Sequence, residues 1–140
     1  MPNPPAADPP AGDCGSPPPP LLLAGIAQFN ARQFYQCHET LELVWRPAQG
    51  TLRELCHGVL QVAVGCLHAE RGNQRGAQAL LGRGAGRLQR LPATCHGVRV
   101  DRLLAATERF AAAVSAGRAA QERHPQPHRH RQQHAGPRRP

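Results

Sequence analysis

One amphipathic segment carries a histidine and a carboxylate on the same stripe, and these residue types could do chemistry together. In a helix Glu42 lies about 40° from His38, and Trp45 lies about 20° away on the other side. Phe34 and Leu41 share this face, so the polar pair would be surrounded by large apolar side chains. A buried carboxylate is costly unless it is paired. We therefore expect Glu42 to have a partner: His38, the indole N–H of Trp45, or an arginine from another element.

The next helical segment carries a second polar strip. His57, Gln61 and His68 fall within about 40° of one another on an otherwise apolar face. If the two helices pack antiparallel across the short connection at 47–50, the two strips face each other in the interior of a bundle. The predicted cluster then contains His38, Glu42, His57, Gln61 and His68.

This cluster has three interpretations. It is a satisfied hydrogen-bond network that fixes helix register, or a small-ligand or catalytic pocket in which His38 acts as a base oriented by Glu42. As a runner-up, His38, Glu42 and His68 are the first shell of a zinc or iron ion in a metal-dependent hydrolase. The string HETLE is not the zincin HExxH motif, because Glu42 takes the place of the second histidine. We expect a structural or small-ligand role first, with no assured cofactor.

Helical periodicity predicts the elements that position these residues. The chain is expected to be all-α, a compact bundle of about five helices at 21–117, with no strand-like alternation. The helices are predicted at about 21–31, 33–46, 51–71, 74–91 and 100–116. Pro47 and Pro92 end the second and fourth helices, and Gly117 ends the fifth. Gly72 closes the third helix and Asn73 caps the fourth.

Glycines mark the third and fourth helices. The fourth contains four of them, each costing up to about 1 kcal/mol relative to alanine, so we expect it to be either the least stable helix or one packed unusually close to a neighbour. Gly58 and Gly65, on the flank of the third helix, would let another backbone come close. A short bundle with one weak helix also leaves room for a homodimer.

The two ends of the chain differ from the bundle in composition. Residues 1–20 contain nine prolines, and 118–140 are rich in His, Arg and Pro, so both are expected to be disordered arms. The tail histidines could chelate a transition metal only loosely; they are His124, His128, His130 and His134. We find no basic-apolar leader and no apolar run of about 18 residues. We therefore expect a cytoplasmic protein that does not enter a membrane.

The five cysteines show no CxxC pair, and three of them lie within apolar helical patterns. We expect reduced, buried thiols. A catalytic thiol at Cys37 is not expected, because adjacent helix positions such as Cys37 and His38 point about 100° apart.

The net charge of +8 comes with 17 basic residues, all of them arginine. The arginines are scattered, and no aromatic residues alternate with them as a stacking platform requires. Weak anion or nucleic-acid binding is thus a third interpretation of function, and a dedicated nucleic-acid site is not expected.

Two long segments resemble a known family. FNARQFYQCHETLELVW is similar to the opening signature of the domain of unknown function 309 family, and GVLQVAVGCLHAERGNQRGAQALL to its second signature. The resemblance covers about 29–104 and implies a compact helical bundle. It implies a set of characteristic polar positions: His38, Glu39, Glu42, Trp45, Gln61, His68, Arg71 and Asn73.

The resemblance also changes which residues we expect to belong to a shared site. Ala31 stands where the family usually has glycine, and His57 where glutamine or lysine is more usual, so His57 is the weaker member of a shared site. Arg71 becomes a partner for Glu39 or Glu42. Because the family has no established activity, the resemblance implies a fold and a residue list without a reaction.

Overall fold

The computed structural model describes residues 11–123 of the chain. Five α-helices dominate this range, and they confirm the predicted all-α bundle. The helices are α1 Pro20–Asn30, α2 Phe34–Trp45, α3 Gly50–Glu70, α4 Gln74–Leu88 and α5 Val100–Arg123. A short 3-10 helix, Ala11–Gly15, comes before them, and a two-residue strand pair, β1 Thr94–Cys95 and β2 Val98–Arg99, comes before α5.

The helix ends follow local chemistry where the sequence signalled it. Gly72 adopts φ 82° after α3, and the Asn73 side chain accepts from the Gly76 N–H at 3.0 Å, so both predicted caps are confirmed. The predicted end of the last helix is wrong, because α5 continues through Gly117 to Arg123. One glycine among good helix formers costs about 1 kcal/mol and does not stop a helix.

The helices pack in chain order, each on the next, with α3 at the centre. The core is formed from fully buried aliphatic side chains of four helices: Leu22, Leu41, Leu55, Val59, Val62, Leu81 and Leu88. None of the helices described over 11–123 has the length and apolar character that a membrane crossing requires.

Glycines bring α3 and α4 into close contact. A Cβ on Gly84 would lie 2.9 Å from the carbonyl oxygen of Gly58 and 3.1 Å from the amide nitrogen of Val62. A Cβ on Gly65 would lie 3.2 Å from the amide nitrogen of Leu81. Of the two expectations for the glycines, close packing of α3 on α4 therefore holds at Gly58, Gly65 and Gly84. A Cβ on Gly82 would have no neighbour within 4 Å.

The cysteines fall into two groups. Cys37, Cys56 and Cys66 are free and buried, as predicted. Burial raises the pKa of the Cys37 and Cys56 thiols to about 12 and that of Cys66 to about 11, so these thiols are not nucleophiles. The prediction is wrong for Cys14 and Cys95, which form a disulfide across 81 positions of sequence. Neither lies in a helical pattern, and the hairpin before α5 brings them together.

The disulfide belongs to a group that we call the N-terminal latch: Asp13, Cys14, Thr51, Cys95 and His96. His96 is buried, and its Nε2 lies 3.0 Å from Thr51 Oγ1. The backbone N–H of His96 donates to the Cys14 carbonyl at 2.6 Å. His96 and Gly97 have φ of 51° and 79°, which is typical of a tight two-residue hairpin turn. The packed part of the protein therefore begins ahead of the predicted start at Leu21.

Asp13 caps α3 from a distant part of the chain. Gln49, which precedes α3, gives no side-chain cap. Asp13 Oδ2 instead accepts from the Thr51 N–H at 3.0 Å. Hydrogen bonds from Thr51, and the nearby His96, lower the pKa of Asp13 below its ordinary 3.8.

Candidate functional site

Side chains from α2, α3 and α4 line one concave space of about 200 Å³, which we call the polar cleft. Its polar members are His38, Glu42, Trp45, His57 and Gln61, and its apolar members are Leu60, Val64 and Leu80. Helix spacing explains the grouping, because residues three or four apart share a face. The structure thus places these five members of the two predicted polar strips around one space, and their role as a site stays a prediction.

Glu42 takes its partner from its own helix. Arg46 Nη2 lies 3.9 Å from Glu42 Oε2, with side-chain exposures of 71% and 36%. An exposed pair of this kind adds little stability. Trp45 Nε1, the other predicted partner, is buried and has no hydrogen-bond partner among the residues described.

The indole of Trp45 contacts the guanidinium of Arg53 and the imidazole ring of His57. The Arg53 guanidinium lies 4.2 Å from the indole centroid, and its Nη1 donates to the Trp45 carbonyl at 3.0 Å. The His57 ring centroid lies 5.3 Å from that of Trp45. These contacts fix the indole while leaving its N–H without a partner.

A salt bridge between α3 and α4 lies beside the cleft, next to Gln61. Arg87 Nη1 donates to both carboxylate oxygens of Glu54 at 3.0 and 3.1 Å, and its Nε donates to Gln61 Oε1 at 3.2 Å. The Gln61 oxygen is thereby occupied, and its amide nitrogen remains as a donor. Burial and the positive charges of Arg87 and Arg53 lower the pKa of His57 below 6.5, against the opposing effect of Glu54. These surroundings favour the neutral imidazole of His57 over its charged form.

Beside the cleft lies a second depression of about 270 Å³, which we call the arginine hollow. It is lined by Arg83, Gly86, Arg87, Arg90 and Gln61, and Gln61 also lines the cleft. A Cβ on Gly86 would meet nothing within 4 Å, so this glycine leaves space between the arginines. This group was not predicted from the sequence, in which the arginines were interpreted as scattered. Their spacing at i, i+4 and i+7 on one helix face was the available signal.

The remaining predicted site residues lie elsewhere. His68 lies about 10 Å further along α3 than Gln61 by the helical rise. Its Nδ1 lies 3.2 Å from Asn73 Nδ2, at the exposed end of the helix. Glu39 is exposed and accepts from Tyr35, which raises the pKa of Tyr35. Arg71 is also exposed, and its positive charge opposes this rise in the pKa of Tyr35.

The predicted metal ligands are therefore not brought together. His38 and Glu42 line the cleft, and His68 does not. Over residues 11–123, no three histidine, cysteine or acidic side chains are grouped so that they could hold an ion. The tail histidines at 124–134 lie outside the described residues.

Comparison with known proteins gives a family and no activity. Residues 22–80 match the model of a family described as Domain of unknown function (DUF309). No curated protein and no solved structure matches the chain. The matched segment contains every lining residue of the polar cleft, whereas Arg83, Arg87 and Arg90 lie beyond it.

Proposed function

We propose that this chain, whose residues 22–80 match the DUF309 family, binds a small molecule in the polar cleft. The observation that carries the proposal is a set of unpartnered polar groups around one concave space. Trp45 Nε1 is buried without a partner, and the ring nitrogens of His38 and His57 form no hydrogen bond within the part of the chain described. A buried polar atom without a partner, such as Trp45 Nε1, is rare in folded proteins unless a ligand or water satisfies it, and the two histidines beside it leave their ring nitrogens available to the same ligand.

The ligand is a single-ring molecule that carries an anionic group. A space of about 200 Å³ exceeds the roughly 150 Å³ that accommodates benzene. His38, His57 and the indole N–H supply hydrogen bonds to the ring substituents, and Glu42 accepts one. Gln61 joins the cleft to the arginine hollow, where guanidinium groups favour a carboxylate or phosphate.

The purely structural interpretation explains less. A network that fixes helix register has its hydrogen bonds closed within the protein. Here the closed part is the Glu54–Arg87–Gln61 group, and the two cleft histidines stand outside it. The network hypothesis accounts for the α3–α4 side of the cleft but gives no reason for the unpartnered groups of α2.

The metal-dependent hydrolase with zinc or iron stays a prediction that no observation favours, since His68 lies away from His38 and Glu42. The homodimer and the cytoplasmic location also stay predictions. The disulfide is a bond that cytosolic reductants normally break.

Trp45 is the one tryptophan of the chain, so its fluorescence reports on the cleft. The experiment titrates the full-length protein with phenyl phosphate, benzoate and nicotinate, and with phenol and inorganic phosphate as part-ligands. We expect a saturable fluorescence change with a ring acid, and at least about tenfold weaker binding of either part-ligand, which corresponds to about 1.4 kcal/mol. His57→Ala and Arg83→Gln should each weaken binding about tenfold. Arg109→Gln, an exposed change on α5 that lines neither depression, is the matched control.

Two results would contradict the proposal. One is the absence of a saturable change with every ring acid, and the other is binding that His57→Ala and Arg83→Gln leave intact. If His38→Ala lowers the melting temperature and no acid binds wild-type protein, the network hypothesis is correct. Stoichiometric zinc that is lost in His38→Ala and in His68→Ala would instead support the hydrolase.

A further inference from the structure

A further depression runs between α1 and α5, over Val62 and Cys66 of α3. Three adjoining spaces of about 350, 250 and 360 Å³ form it. The first two share Phe29, Asn30 and Ala106, and the last two share Arg32 and Phe110. We call this continuous depression the aromatic groove.

The middle of the groove is mainly apolar, with Asn30, Arg32 and Thr107 as its polar members. All three phenylalanines of the chain line it, namely Phe29, Phe34 and Phe110. Phe29 and Phe34 meet edge to face with ring centroids 5.5 Å apart, and Val62 and Cys66 of α3 form the floor. Phe34 belongs to the core, and Phe29 and Phe110 are partly buried against the core, so their exposed edges leave apolar surface for a ligand to cover.

The groove is long and narrow. Along α5 it extends from Arg102 to Val114, which is about 18 Å by the helical rise. This is the length of an extended long-chain acyl group. The walls, α1 and α5, do not form a packed pair in the described part of the chain, so the space between them is not filled by protein.

Positive charge is concentrated at one end. Arg99 and Arg102 lie there, and Arg99 is paired with Asp101 at 2.8 Å. The Arg102 guanidinium makes no hydrogen bond or ion pair with any residue described. Its positive charge contributes to lowering the pKa of the neighbouring Asp101. A carboxylate at this end would find a planar donor group that suits it.

We propose that the aromatic groove binds a long-chain fatty acid, with its carboxylate on Arg102 and its acyl chain along Phe29, Ala106 and Phe110. A second copy of the chain fits less well. Glu70 is the one acidic residue lining the groove in the described part of the chain, and it is already paired with Arg32, so a second copy presenting the same face brings no free carboxylate for Arg102. The site is separate from the polar cleft and does not depend on the function proposed for it.

The test uses the full-length protein and cis-parinaric acid, a fluorescent 18-carbon fatty acid. We expect saturable binding of one molecule per chain, displacement by palmitate, and at least tenfold weaker displacement by palmitate methyl ester. Ala106→Phe fills the point where two of the spaces join and should weaken binding at least tenfold. Ala112→Phe, an exposed change on the same helix that does not line the groove, should leave it unchanged.

Arg102→Gln keeps the proposal testable if Ala106→Phe fails to fold. This exposed change should remove the preference for acid over ester, and Arg109→Gln should not. Trp45 fluorescence should stay constant when palmitate, which does not absorb tryptophan emission, is added in place of the fluorescent acid, and this separates the groove from the polar cleft. Absence of saturable binding, equal affinity for acid and ester in wild-type protein, or a dimer in solution that Ala106→Phe dissociates would overturn the proposal.

Discussion

The two sides of α3 are built in opposite ways. Towards α4 it carries small residues, so that Gly58, Gly65 and Gly84 bring the backbones of the two helices together. Towards α1 and α5 it meets large aromatic side chains that stand around an open groove. The α1–α5 side is joined covalently at one end, because the Cys14–Cys95 disulfide connects the segments that lead into these two helices.

The difference shows how small residues decide where a small bundle is closed. On the α3–α4 side the aliphatic side chains of Leu81, Leu88 and Val62 pack against the glycines, and the two backbones come close. The α1–α5 side has most of the aromatic surface and stays open. Stability and binding capacity are therefore expected to reside on different sides of the same helix.

The largest expected effect on stability comes from removing the Cys14–Cys95 disulfide on the open side. Replacing both Cys14 and Cys95 with alanine should lower the free energy of unfolding by about 2–5 kcal/mol, because the unfolded chain loses a long closed loop. Urea unfolding measures the change. Hydrogen exchange should rise first in α1 and the hairpin, while α3 and α4 keep their protection. Equal loosening of both sides would contradict the comparison, and dithiothreitol should affect wild-type protein and not the double variant.

A smaller effect is expected from a methyl group on the closed side. Gly84→Ala places a Cβ against the backbone of Gly58 and Val62, and overpacking of this kind costs about 1–3 kcal/mol. Gly82→Ala on the same helix is the matched control. It points into open space and should gain up to about 1 kcal/mol from helix propensity. Thermal unfolding should separate the two variants in opposite directions, and a shared direction would show that α3 and α4 are not closely packed.

The smallest expected effect is a pH dependence that differs between the sides. His57, by the closed side, has a pKa below its unfolded value of 6.5, so its contribution is present above pH 6.5 and is lost as pH falls through the folded pKa. Asp13, in the latch, has a pKa below 3.8, and its contribution is lost only below pH 3.8. Melting temperatures from pH 8 to 3 should show both steps. His57→Gln should remove the first and Asp13→Asn the second; steps that survive these changes would contradict the assignment.

Local sequence patterns predicted the helices and much of the cleft for the same physical reason. A helix fixes the relative direction of residues three and four apart, so His38 and Glu42 had to share a face, as did His57 and Gln61. The short connection between α2 and α3 then brought those faces together. His68 shares the same strip but lies too far along α3, and angular position alone does not reveal that distance.

The latch could not be predicted in this way. Cys14 and Cys95 are separated by 81 positions, and neither lies in a periodic segment. Asp13 acts as a helix cap for α3 without preceding it in sequence, whereas capping signals are recognised only next to a helix. The open groove was likewise invisible, because Phe29 and Phe110 have the periodicity of core residues whether or not another helix covers them.

The disulfide also determines how the chain is connected when it is cut. It closes a covalent ring from Cys14 to Cys95 that contains all of α1, α2, α3 and α4 and leaves α5 outside. A protease that cuts at 31–33 or at 71–73 opens this ring without separating the pieces, and they come apart only after reduction. A cut at 96–99 makes α5 a separate polypeptide even without reduction, because no covalent bond among the described residues joins it to the ring.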